Sequence, residues 1–502
     1  MKKIFSNLLL LSSLLLVTAC GNAGQTTNST SSASSDKTTD TTSGASEQQY
    51  TDPAELKDTY DVIIVGAGGA GMAAAIQAKE SGANPVILEK MPIAGGNTLK
   101  SSAGMNASET KFQAEQGIED SNQAFLDETL KGGAETNDQE LLRYFVDHSA
   151  SAIDWLDSMG IKLDNITITG GMSTQRTHRP SDGSAIGGYL VDGLISNVHE
   201  REIPLFVNAD VVKINETDGK ISGVQVKIEG EEKTIKADAV IVTTGGFGAN
   251  MEMVVANKPE LAGFVTTNQA GSTGDGITMI EALGGQTVDL DKIQIHPTVE
   301  QETSLLITEA VRGEGAILVS QAGTRFYNEM DTRDKVSQAI IALPEQHAYL
   351  IFDAGVKERA KAIDFYVKEG LTVESETIEG LANEIGASEA DLKATLDTWN
   401  QAVTAQDDTE FGRATAMDNR LDKGPFYAIK IAPGIHHTMG GVKINTLTEV
   451  QNKANESIPG LYAAGEVTGG LHGSNRIGGN AVADIIIFGR QAGEQAATFV
   501  KK

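Results

Sequence analysis

Seven polar side chains stand out for what they could do together. His296 precedes Pro297, Thr308 and Glu309 come shortly before Arg312, and Arg333 sits in Thr332-Arg333-Asp334. His436 opens His436-His437-Thr438-Met439-Gly440-Gly441, and Arg476 closes His472-Gly473-Ser474-Asn475-Arg476. Guanidinium groups offer forked pairs of N–H donors that match a carboxylate, while imidazoles and a hydroxyl add directed hydrogen bonds. The mixture suits a small anion with two carboxylates. Residue chemistry alone goes no further than an anion pocket, around which His437 and His472 read as loop support.

Such a pocket needs a scaffold, and the sequence supplies a nucleotide-binding one. The β-branched run Tyr60-Asp61-Val62-Ile63-Ile64-Val65 leads into Gly66-Ala67-Gly68-Gly69-Ala70-Gly71 and then a helical Met72–Ala75 stretch. This is strand, tight turn and helix: Gly66 permits the turn, Gly68 lets the backbone approach a pyrophosphate at the helix N-terminus, and Gly71 lets the helix pack closely. A second strand, Pro85-Val86-Ile87-Leu88, ends in Glu89, placed to accept hydrogen bonds from a ribose. Together these predict a dinucleotide site. Further glycine turns follow strands at Gly95-Gly96-Asn97-Thr98 and at Thr243-Thr244-Gly245-Gly246 after Ala239–Val242, and another glycine-rich segment is Thr273-Gly274-Asp275-Gly276.

These later segments resemble the FAD-binding fold of the fumarate reductase and succinate dehydrogenase flavoprotein family. The resemblance implies FAD, bound through Gly66, Gly68, Gly71, Glu89, Gly96, Asn97, Thr98, Gly245, Gly246, Asp275, Glu466 and Ala481. Glu466 ends a further short strand, and Gly478-Gly479-Asn480-Ala481 opens a helix to about Phe499, whose N-terminus would favour negative charge on a reduced flavin ring. Flavin-domain sequence on both sides of the middle predicts an α/β protein: an FAD-binding Rossmann-like domain (55–291 and 436–502) with an inserted α+β capping domain (292–435). One helix of the insertion is expected from Ser388 to Val403, started by the pair Ser388 and Asp391. The cap is expected to swing over the pocket and exclude water.

From about Tyr60 to Ile487 the segments are similar to those of soluble, flavocytochrome-type fumarate reductases. By that resemblance Arg333 protonates one alkene carbon while the reduced flavin delivers hydride to the other, and Glu309 and Arg312 relay protons back to Arg333. His296 and Thr308 would hold one carboxylate, His436 and Arg476 the second. An arginine acid is chemically reasonable because hydride addition builds carbanion-like charge, a very strong base, beside the acid. No Cys-x-x-Cys-His is present, so a haem domain is absent from this sequence, and Asn97 stands near where membrane-bound relatives carry a flavin-linking histidine. Noncovalent FAD and an external source of electrons follow.

Forty basic against sixty-eight acidic residues give this 502-residue chain a formal charge of -28, which argues against nucleic acid as a partner. A single cysteine excludes internal disulfides, multi-cysteine zinc sites and iron–sulfur clusters, and no metal site is read. That cysteine, Cys20, follows Lys2, Lys3 and an apolar run of about 10 residues, too short to span a bilayer. Leu16-Val17-Thr18-Ala19-Cys20 resembles a bacterial lipobox, implying a signal peptide (1–19), lipidation at Cys20 and a disordered tether (20–54) that holds the protein outside the cytoplasmic membrane. Within the tether, Asp40-Thr41-Thr42-Ser43-Gly44-Ala45-Ser46 resembles the acceptor of flavin transferases, implying covalent FMN on Ser46. The resulting expectation is a lipid-anchored extracytoplasmic reductase of fumarate, fed by an extracellular donor. The alternatives are a reductase of urocanate, methacrylate or an aryl acrylate, and a flavin-carrying electron-transfer lipoprotein.

Overall fold

Val62–Val65, Pro85–Leu88 and Ala239–Val242 are buried at every residue, as strands covered on both faces must be. In the computed structural model, which describes residues 50–501, they pair in parallel with Val62–Val65 in the middle. Ser457–Ala463 joins in parallel beside Ala239–Val242, Leu205–Phe206 joins beside Pro85–Leu88, and antiparallel Glu449–Gln451 completes a six-stranded sheet. The helix Gly69–Glu80 and the last helix, Asn480–Val500, pack against each other over this sheet. The chain thus leaves the sheet after Ala239–Val242 and returns to it near its end.

The expected signal peptide, Cys20 and Ser46 lie outside the described residues. The last residues assigned to the tether are pinned to the body. The Tyr50 hydroxyl accepts from Ala94 N–H at 3.0 Å, and Thr51 exchanges two 2.9 Å hydrogen bonds with Leu205. A polar composition concealed that docking, because the partners are backbone groups far along the chain.

A second hydrophobic core gathers residues from Ile307 to Ile431 around the fully buried Trp399. It packs on an antiparallel sheet in which Phe426–Thr438 pairs with Ile293–Val299, Ala348–Asp353 and Val373–Ser375, with Ile317–Val319 beyond. The helix expected from Ser388 runs Glu389–Ala405. Ser388 Oγ accepts from Asp391 N–H at 3.3 Å, but among the described residues Ser388 N–H makes no reciprocal bond to the Asp391 carboxylate.

Where Ile293–Val299 meets Phe426–Thr438, Gln294 pairs with His437 but Ile295 pairs with Ile435. His436 is therefore the extra residue of a β-bulge. Consecutive strand residues ordinarily face opposite ways; the bulge lets His436 and His437 both line the same cavity.

Candidate active site

The glycine turn behaves as its sequence requires. Gly66 has φ 104°, and a Cβ there would stand 2.6 Å from Thr243 O; a Cβ on Gly71 would stand 2.0 Å from Gly66 O. Only glycines allow the helix to start this close to the strand. The cleft beside the turn is lined by Gly66, Gly68, Glu89, Gly96, Asn97, Thr98, Gly245, Asp275 and Glu466. Gly71 and Gly246 sit behind its wall as packing residues, Gly246 against Thr438 and Glu466, and Ala481 lines the neighbouring cavity instead.

Glu89 is oriented by Ala67 N–H at 2.7 Å and Met91 N–H at 2.8 Å, while Asp275 is held by Lys90 at 2.5 Å and Thr273 at 2.8 Å. Burial pushes the Glu89 carboxyl up in pKa, partly offset by those N–H groups. The cleft runs into a cavity of about 550 Å³, and Asn97, Thr98, Glu466 and Ile485 line both. An elongated dinucleotide fits this continuous path. His437 borders the cavity, and both its ring nitrogens are buried without a hydrogen-bond partner among the described residues.

Arg333, His436 and Arg476 line that cavity, and His296, Thr308, Glu309 and Arg312 stand directly behind them. Arg333 opens the helix Arg333–Ile341 and donates from Nε and Nη2 to the two oxygens of Glu309, at 2.8 and 2.9 Å. Arg312 Nη2 reaches the same carboxylate at 3.5 Å. The His296 and His436 rings are 5.3 Å apart, edge to face. His296 Nδ1 accepts from Thr298 N–H, which places the ring proton on Nε2, an atom with no hydrogen-bond partner among the described residues. Thr308 caps its helix by accepting from Ala310 N–H, which leaves its hydroxyl proton free to donate.

The electrostatics follow from burial in a cationic wall. Burial, then Arg333, holds His296 and His436 well below the ordinary imidazole pKa, so both are neutral hydrogen-bonding groups at pH 7. Burial alone would push Glu309 up, but Arg333, bonded to both its oxygens, holds its carboxyl well below the usual range. Burial and the nearby Arg333 bring Arg476 down to about 9.

His437 and His472 are likewise depressed by burial, and His178 is lowered to about 4. An unfolded histidine titrates near 6.5, so below that pH the unfolded chain gains protons that these buried rings refuse. Their stabilising contribution is complete above about pH 6.5 and is lost as pH falls. Urea unfolding of the holoenzyme without dicarboxylate is expected to lose on the order of 1 kcal/mol per buried ring for each pH unit below about 6.5. A midpoint that stays level from pH 7 to 5 would contradict this.

Three site residues were not signalled by the sequence. Gln294 Oε1 accepts from both Arg333 Nη1 at 3.1 Å and Arg476 Nη2 at 3.2 Å, while its Nε2 donates to Asn475 Oδ1 and Arg476 O. Thr267 Oγ1 is bonded to His436 Nδ1 at 2.8 Å. Tyr366 Oη accepts from Thr308 N–H at 2.9 Å and so fixes the turn that presents Thr308 and Glu309. Strand alternation puts Gln294 on the same face as His296, but without the pairing of the two strands that position names no role.

The family described as FAD binding domain matches residues 61–482. The chain is 55% identical over 440 residues to an NADH:fumarate oxidoreductase of Klebsiella pneumoniae (strain 342), a match that covers 88% of this chain and 48% of that protein. This chain thus spans about half the length of that relative. It is 44% identical over 449 residues to fumarate reductase (cytochrome) of Shewanella frigidimarina, covering 89% of this chain and 78% of that one. Among solved structures, the open conformation of a flavocytochrome c3 fumarate reductase superposes with a TM-score of 0.77 at 41% identity, covering 89% of this chain and 80% of that one.

Proposed function

The chain belongs to the FAD binding domain family, among its flavoprotein fumarate reductases, and on that premise we propose that it reduces fumarate to succinate. The observation that carries this reading is Arg333, lining the cavity beside Arg476 and His436 and clamped to the Glu309 carboxylate behind it. FAD, held noncovalently along the cleft, supplies the hydride when bound.

The chain's own residues bind, polarise and protonate. His296 Nε2–H and the Thr308 hydroxyl hold one carboxylate; His436 and Arg476 hold the other. A guanidinium carries five N–H bonds. Of those on Arg333, two go to Glu309 and one to Gln294, leaving one on each Nη for the substrate. One of these protons goes to the alkene carbon opposite the hydride, which gives succinate. A proton taken up from water by way of Arg312 and the Glu309 carboxylate, which contacts Nε and Nη2, then restores the Arg333 guanidinium. The segment built on the second core acts as a cap that closes over the cavity.

The same reading places the enzyme outside the cytoplasmic membrane, anchored at Cys20 and fed by an extracellular donor through FMN on Ser46. Supporting it are the lipobox-like and acceptor-like sequences, and mass spectrometry of the mature N-terminal peptide reads both modifications. The reaction itself is tested with holoenzyme and reduced viologen against a panel of unsaturated acids. Fumarate is expected to reoxidise the dye fastest. A faster rate with urocanate, methacrylate or an aryl acrylate would replace the substrate, and no rate with any acid would leave only an electron carrier.

A further inference from the structure

One more cation faces the cavity. Lys100 follows the short helix Gly96–Leu99 and is exposed at the cavity's edge. Its backbone is braced on both sides: its N–H bonds Asn97 O and Thr98 O, and the next carbonyl, Ser101 O, accepts from Gly187 N–H at 2.9 Å. Nζ donates to Thr267 O at 3.2 Å, and Thr267 Oγ1 is bonded to His436 Nδ1. The ammonium is thus one residue removed from a proposed carboxylate ligand.

What sets Lys100 apart is its place in the cavity lining without an acidic partner, a partner that many other lysines among the described residues also lack. In a chain with sixty-eight acidic residues, Lys90 pairs with Asp275, Lys111 with Asp157 and Lys357 with Asp364. Lys100 pairs with no carboxylate among the described residues, and partial burial lowers its pKa with no neighbouring acid to raise it. An exposed ammonium at the cavity's edge with no carboxylate of its own is placed to meet an incoming anion.

The net charge makes such a group useful. At -28 the molecule as a whole repels a dianion, so local positive potential at the cavity must draw one in. Arg333 shares the Glu309 carboxylate with Arg312, which leaves Arg476 and Lys100 as cavity-lining cations without a directly bonded carboxylate among the described residues. We propose that Lys100 is a specificity residue for dicarboxylates: its ammonium attracts a carboxylate at the cavity's edge and passes it to His436 and Arg476. This rests on the reading of the cavity as a dicarboxylate site.

The test compares holoenzyme with Lys100→Gln, Lys100→Arg and Lys100→Glu variants of equal FAD content, from about 20 mM to 0.5 M salt. For fumarate, Lys100→Gln is expected to lose about tenfold in kcat/KM at low salt, with kcat changed less than about threefold. The gap should shrink to about twofold at high salt, Lys100→Arg should restore the parent behaviour, and Lys100→Glu should lose more than Lys100→Gln. A loss independent of salt and not rescued by arginine would mean that Lys100 only braces Thr267 and His436, and would overturn the proposal, as would no loss at all. Succinate binding by calorimetry separates the two readings. A parent enzyme that fails to reduce fumarate yet binds succinate with salt-sensitive dependence on Lys100 sinks the reaction and supports the residue; one that does neither sinks both.

Discussion

Arg333→Ala and Arg333→Lys are expected to abolish turnover, by about 10⁴-fold, while FAD content stays that of the parent chain. Arg333 lines the cavity but not the cleft that holds the rest of the dinucleotide path, so its loss leaves cofactor contacts in place. The lysine variant is the sharper test, because it keeps a positive charge for the substrate to meet. Arg333 uses three N–H groups in a fixed plane, two toward Glu309 and one toward Gln294. A lysine offers one nitrogen on a flexible stem and cannot span both partners while still presenting a proton to the alkene. Viologen-coupled rates and the flavin-to-protein absorbance ratio are the readouts. A lysine variant within about tenfold of the parent would show that another group delivers the proton.

Those three contacts also mark how far the sequence could be read. The turn Gly66–Gly71 with Val62–Val65 and Pro85–Leu88 was legible because a parallel sheet covered on both faces demands unbroken apolar strands and a glycine at each close approach. Arg333, Glu309 and Arg312 were legible as charged groups in segments that resemble a known family. Gln294 was not, because an amide shows neither charge nor motif and its role exists only once two strands pair. The bulge that brings both His436 and His437 to the cavity wall is a register shift, invisible to alternation. Tyr366 acts on Thr308 across a separation of 58 residues, a contact made by the packing of the second core. Asp275 is a cofactor residue by the family resemblance of its segment. In the structure it lines the cleft as one half of an ion pair with Lys90, a partner from the loop after Glu89.

Glu309→Gln is expected to cut kcat by about 10²–10³-fold while succinate binds as tightly as before or more tightly. The two effects have opposite electrostatic origins. Glu309 accepts from Arg333 at both oxygens and from Arg312 at one, so as a carboxylate it can take up a proton and return it to the guanidinium. An amide keeps one acceptor oxygen but turns its other end into a donor facing Arg333, which breaks half of the clamp and cannot carry a proton. Removing this negative charge also leaves Arg333 and Arg312 uncompensated in a buried wall, which costs a few kcal/mol of stability but raises the positive potential that a dianion meets. Weakened binding accompanied by normal kcat would make Glu309 a binding residue and remove it from the relay. In the relay reading, the solvent deuterium isotope effect on kcat grows in Glu309→Gln, because proton return to Arg333 becomes the slow step, and Glu309→Asp recovers part of the rate because it still carries a carboxylate that can exchange protons with the guanidinium.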